Sequence, residues 1–330
     1  MKMKFSEFHS TLLDAVLKAK KRQPTASIHL LYAPELADPL ELVGDVLRNI
    51  ALINSPVKVG WTAATAPRLL TLNGSGIGVE LLNAEGGIGD AMLQRSIQKS
   101  YANIFGDEQV QVALTNDDPG MAENAICGWV VSPEPARQIA ARIARLSNLW
   151  GAKPSSQIAR WFYPHCFVGL WPELEDHQKH ALLSGGTWLL HDHFGQLQQY
   201  GPVQESSDET SWVPKFSSTQ RRIIDNTLVV SALAKCWQSI SRIEQQPIPK
   251  DAVSKLHQFV LQGQRHHLDA EDLMIYVMTA VQLPNGALED QDFSSMLAAI
   301  AEDGVSLRDG LSTLPDNFWQ RYQPATPIPA

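Results

Sequence analysis

Three cysteines in 330 residues, Cys127, Cys166 and Cys236, are too sparse and odd a set for a disulfide framework. None belongs to a Cys-x-x-Cys pair, which removes structural zinc built on thiolates. No run approaches the roughly 18 consecutive apolar residues that a membrane span needs. The N-terminal MKMKFSEFHSTLLDAVLKAKKR starts with charge, but Glu7, His9 and Asp14 interrupt any stretch apolar enough for a signal peptide, so an amphipathic helix is expected there. Basic excess is missing too: a formal net charge of -8 has the wrong sign for a surface that neutralises phosphates. The expectation is a soluble, cytoplasmic chain that binds neither membrane nor nucleic acid. At this length roughly three-quarters of the unfolded surface can be buried, so no covalent or metal staple is needed.

Catalytic signatures are equally scarce. NGSGIG lacks the Lys-Ser or Lys-Thr of a phosphate-cradling loop, and neither it nor EGGIGD spells Gly-x-Gly-x-x-Gly between a strand and a helix. Asp90 would set a carboxylate where a bound anion should sit. Ser75 lies in Gly-Ser-Gly, which is not a nucleophile elbow. No cofactor is expected.

What is present changes character near residue 205. Before it, SIHLLYA, VKVGWTA, RLLTL, VQVAL, ICGWVV and IARWFY are strand-like runs bounded by Pro, Gly, Asn or Asp. Between the last two, Ala136, Ile139, Ala140, Ile143 and Trp150 recur at helical spacing, with Ser132 as a candidate cap and Pro133 and Pro135 in the first turn. This strand-helix-strand order predicts an α/β (α+β) lobe over residues 1–203, with a mixed sheet and packed helices. A polar, acidic connector follows at 204–217. From 218 to 330 the apolar positions recur as in helices, in one stripe from Ile223 through Val230, Leu233 and Trp237 to Ile240, and in another from Leu273 to Val281 capped by Asp269. An all-α second lobe with a disordered tail, PATPIPA, is the prediction.

The residues most inviting to chemistry lie in IARWFYPHCFVGLWPEL and TWLLHDHFG. Pro164 should end a strand and open a short helix, because it lacks the N–H a ladder requires while its fixed φ suits a first turn. Phe167, Leu170 and Trp171 then share a face, Pro172 closes the helix, and a second one runs over Asp176–Leu183. TWLLHDH and QLQQY flank a turn at Phe194 and Gly195, a hairpin. His191 and His193, two apart on a strand, would share a face and offer two metal ligands, with His165, His177 or His180 as a third; polar surface is the plainer reading. His165 and Cys166 are adjacent and project differently, so a buried structural cysteine is favoured over a nucleophile with its base. QRHHLD reads as a solvated loop. Trp212 and Phe216 in the connector, and Trp319 and Tyr322 near the C-terminus, either anchor the chain or form a partner-binding hot spot.

In their order, GWVVSPEPARQIAARIARL, RWFYPHCFVGLWPEL, HQKHALLSG, TWLLHDHFG and a helical second lobe resemble the adaptor chaperones of the bacterial type VI secretion system, the Tap or Tec family. APRLLTL is similar to a segment earlier in that domain. The resemblance maps the family pattern onto Arg160, Phe162, Pro164, Trp171, Asp192 and Gly195. Tyr163 and His165 stand where the family has aspartate and a second arginine, so a charge pair there is absent. The resemblance implies a non-catalytic role: holding a toxic effector in the cytoplasm and loading it onto the VgrG spike, directly or through that effector. A metal-dependent hydrolase using His191 and His193, and an interaction module unrelated to secretion, are the alternatives.

Overall fold

The run SIHLLY favours an extended chain because β-branched and aromatic side chains pack well on a pleat, and it forms β1 (Ser27–Tyr32). The computed structural model describes residues 3–33, 50–52, 66–72, 91–105, 125–148, 161–183, 185–202, 216–244, 246–284 and 286–322. Among these, β1 is joined by β2 (Ile50–Leu52), β3 (Arg68–Thr71), β4 (Ile126–Ser132), β5 (Thr187–His191) and β6 (Leu197–Tyr200). The strands bond in the order β2-β3-β1-β4-β5-β6. Every pairing among the described residues is antiparallel, where a mixed sheet was expected. Of the run expected as a strand after the helical crossover, 158–160 lie outside the described residues, while Trp161–Tyr163 form a turn and bend, and Tyr163 offers its carbonyl to the Phe167 N–H at 2.8 Å. Pro164 behind it starts a helix instead of ending a ladder. β2 has no counterpart among the expected strands, since three residues carry no readable period.

Helices cover both faces of the sheet, which is why β4 is buried along its whole length. On one face α1 (Phe5–Arg22) and α2 (Ala91–Phe105) join a cluster of Phe8, Leu12, Val16, Ile97, Phe105, Leu30, Trp129 and Leu189. Burying such side chains contributes about 2 kcal/mol each. On the other face α3 (Ala136–Asn148) packs against β2 and β3. Its start differs from expectation: Ser132 ends β4 and accepts from the Glu134 N–H at 3.1 Å, while the Pro135 carbonyl takes the first helical donors, Gln138 and Ile139. The two prolines therefore precede the helix rather than occupying its first turn.

α4 (Pro164–Leu170) and α5 (Asp176–Leu183) fall where expected. Between them Trp171–Glu173 tighten into a 3₁₀ turn that runs through Pro172. The chain divides into two compact units, Met1–Thr227 and Leu228–Ala330. α6 (Ser218–Asp225) belongs to the first and packs on α4. Asn226 separates it from α7 (Thr227–Glu244), so the stripe from Ile223 to Ile240 belongs to two helices. Thereafter come α8 (Ala252–Arg265), α9 (Ala270–Ala280), α10 (Gln291–Asp303), α11 (Leu307–Thr313) and α12 (Asp316–Tyr322). Asp269 caps α9 by accepting from the Asp272 N–H at 2.9 Å. α8 and α9 approach closely at Gly263, where a Cβ would lie 2.5 Å from Leu273 Cδ1. No helix among the described residues is long and apolar enough to cross a membrane. VKVGWTA, VQVAL, NGSGIG, EGGIGD, Trp150, Arg160, Trp212 and PATPIPA lie outside the described residues.

Candidate functional site: the turn after β5

The side chains expected to carry chemistry converge at the hairpin between β5 and β6. A cleft there is lined by Ile104, Tyr163, Pro164, His165, His191, Asp192 and His193. β5 ends at His191, and His193 sits in the turn, so strand alternation does not put both imidazoles on one face. This corrects the shared-face expectation. His191 is buried, its ring stacked on Phe8 at 3.8 Å and 21° and edge-on to Trp129 at 5.7 Å. Desolvation lowers its pKa to about 3. Its Nδ1 has no hydrogen-bond partner among the described residues, so the ring serves as a neutral packing plate. His193 instead stacks on His165 at 4.6 Å and 26°.

Asp192 organises the turn. Its Oδ1 accepts from the Phe194 and Gln196 N–H groups, each at 2.9 Å, and its Oδ2 accepts from the Gln198 amide at 3.2 Å. Aspartate suits this place because a short carboxylate reaches its own backbone two residues on. Burial pushes the carboxyl up to about 6 against the pull of those donors. Gly195 completes the turn at φ +79, with Phe105 pressed against it: a Cβ would stand 2.2 Å from Phe105 Cζ. Only glycine meets both conditions.

His165 and Cys166 diverge. Cys166 is fully buried, its thiol beside the Thr227 hydroxyl, and desolvation raises it to about 12. His165 faces Tyr163 and His193. Consecutive helical residues point about 100° apart, so this imidazole does not serve that thiol as a base. Among the described residues no group of three or more His, Cys, Asp and Glu is placed to hold a metal ion. In this constellation His191 is held by ring packing, Asp192 by its own turn, and Cys166 lies apart from His165.

No family model, curated protein or solved structure matches the chain.

The other singled-out residues have structural surroundings. Phe167 lies parallel to Trp188 at 5.3 Å and 8°, Trp188 stacks on Trp161 at 5.7 Å, and Trp171 and Tyr200 close the group at 4.6 Å. Phe162 is buried between the neighbouring rings of Trp161 and Tyr163. Phe216 is buried just before the α6 cap. Trp319 is half-buried against Phe318, and the Tyr322 hydroxyl donates to Asp290 at 3.0 Å. His266 and His267 are exposed.

Two features escaped sequence reasoning. Gln178 and Gln220 form a reciprocal amide pair at 2.9 and 3.3 Å, and Gln220 also reaches the Glu173 carbonyl at 2.6 Å. The Ser-x-x-Gln capping box at Ser217 was the available signal for it. The second is an exposed strip on α7, legible as uncharged residues at helical spacing.

Proposed function

We propose that this chain is a cytoplasmic, non-catalytic adaptor of the kind its sequence resembles, binding a toxic effector polypeptide and delivering it to the VgrG spike of a type VI secretion system. The observation that carries the reading is that the polar cluster after β5, among the described residues, is held by structure: His191 is desolvated among rings, Asp192 bonds to its own turn, and Cys166 is turned away from His165. A sheet-bearing lobe followed by a helical lobe is the architecture the resemblance implies, and the helices from α7 to α12 support it. Such a complex would bury about 1,600 Å² if it survives purification. Release must remain possible, which favours nanomolar affinity, near −12 kcal/mol.

Affinity purification of the tagged chain with the proteins encoded beside it is the test. Recovery of a toxin, alone or with the spike, is expected, and recovery of neither would sink the reading. Metal analysis of the purified chain separates the hydrolase alternative, since stoichiometric zinc or iron retained with His191 and His193 intact would favour that alternative.

A further inference from the structure

Five large apolar side chains are exposed among the described residues, Leu228, Val229, Ile243, Met274 and Val305, and the first three share α7. They belong to a continuous strip. Leu228, Ala232, Cys236, Ser239 and Ile243 recur at spacings of four and three, hence on one face, with Val229 beside them, and all six are exposed. No side chain in the strip is charged. The Ser239 hydroxyl donates back to the Lys235 carbonyl at 3.0 Å, so drying the face does not strand that donor. Large residues at both ends and small ones between make a shallow saddle into which another helix fits.

Charge marks the edges. Lys235 and Arg242, seven residues apart, border one side, while Ile240 and, in the last turn, Glu244 border the other. In a molecule of net charge -8, two cations along an uncharged strip are a local departure. In an antiparallel self-pairing the same edge of each copy meets itself, setting Lys235 against Lys235, which disfavours a second copy. We propose that the α7 strip is a docking surface for an amphipathic helix of another protein, apolar on the contacting face and acidic along the flank that meets Lys235 and Arg242. The recognition is helix on helix, with anchors near Leu228 and Ile243. It does not require that partner to be a secreted effector.

The probe is a fluorescent model helix as long as α7, 18 residues, with leucines at i, i+3, i+4 and i+7 and glutamates along one flank. It is titrated into the full chain at low salt beside the same helix carrying lysines on that flank. The acidic helix should bind about tenfold more tightly, and the gap should fade in high salt. Ile243→Asp should weaken binding by about 30-fold, Lys235→Glu with Arg242→Glu should invert the preference, and binding should slow alkylation of Cys236. Circular dichroism establishes that each variant is folded, and Ser239→Asp blocks the same face independently. Equal affinity for the two helices, no binding of either, or binding untouched by both Ile243→Asp and Ser239→Asp overturns the proposal. So does a chain that sediments as a dimer and is split by Ile243→Asp, because the face then belongs to a second copy.

Discussion

Burial lifts the Asp192 carboxyl to about 6 even though two backbone N–H groups and the Gln198 amide bond to it. Because its folded pKa exceeds the unfolded value, its contribution to stability is fully present below about pH 4 and lost as pH rises through about 6. Asp192→Asn keeps an acceptor for the turn and removes the titration. Urea unfolding at pH 5 and pH 7.5 should therefore show wild type losing ground to Asp192→Asn at the higher pH, by an amount on the order of 2 kcal/mol at most. A stability difference that stays constant across that window would disprove the assignment. Asp192→Ala should be worse than Asn at either pH, since it leaves the Phe194 and Gln196 N–H groups unpaired at about 1–3 kcal/mol each. At Gly195 both backbone and space resist a side chain, so Gly195→Ala should cost about 2–4 kcal/mol. Adding Phe105→Leu should recover the steric share only, leaving the part due to φ +79. The turn itself was legible from Asp192 and Gly195, a short-range pattern. Phe105, which makes the glycine obligatory, is distant in sequence and left no local trace.

Helix ends reveal how much an element's own residues determine. α8 finishes with His267 at φ +58, the left-handed position where glycine normally stands. His267→Gly should stabilise the chain by about 0.5–1 kcal/mol in thermal or urea unfolding, and a loss of stability would mean the imidazole does more than end a helix. At α6 the Ser217 side chain accepts from the Gln220 N–H at 3.2 Å and the Gln220 side chain accepts from the Ser217 N–H at 2.9 Å. Ser217→Ala removes one cap bond, worth about 1 kcal/mol. Gln220→Leu should cost more, because it also strands the Gln178 amide and the Glu173 carbonyl. The limits of α5 and the Asp269 cap of α9 could be read because both depend on neighbours in sequence. The start of α3, the break at Asn226 and the turn at Trp161 could not, since a continuous apolar run looks the same whether it pairs as a strand or packs as a turn. Antiparallel partnership is set by which strands meet, a property of the chain path rather than of any one run.

For the molecule as a whole, the three thiols make a compact readout. Cys127 and Cys166 are buried and Cys236 is exposed, so a disulfide reagent should titrate one thiol in the folded chain and three in denaturant. Rapid reaction of a second thiol without denaturant would place Cys127 or Cys166 nearer solvent than its surroundings imply. Sequence alone anticipated sheet first and helices later, because the hydrophobic period changes along the chain. It did not reveal which surface is left for another protein, since exposure depends on what the fold covers.

The ring column formed by Trp161, Trp188 and Phe167 has an optical corollary. Two indoles stacked at 30° and 5.7 Å exchange excitation, which should split their ellipticity into a couplet of opposite lobes. That couplet exists only while the turn at Trp161 lies against β5. Its collapse on heating would clock the detachment of that turn from one strand, without any label.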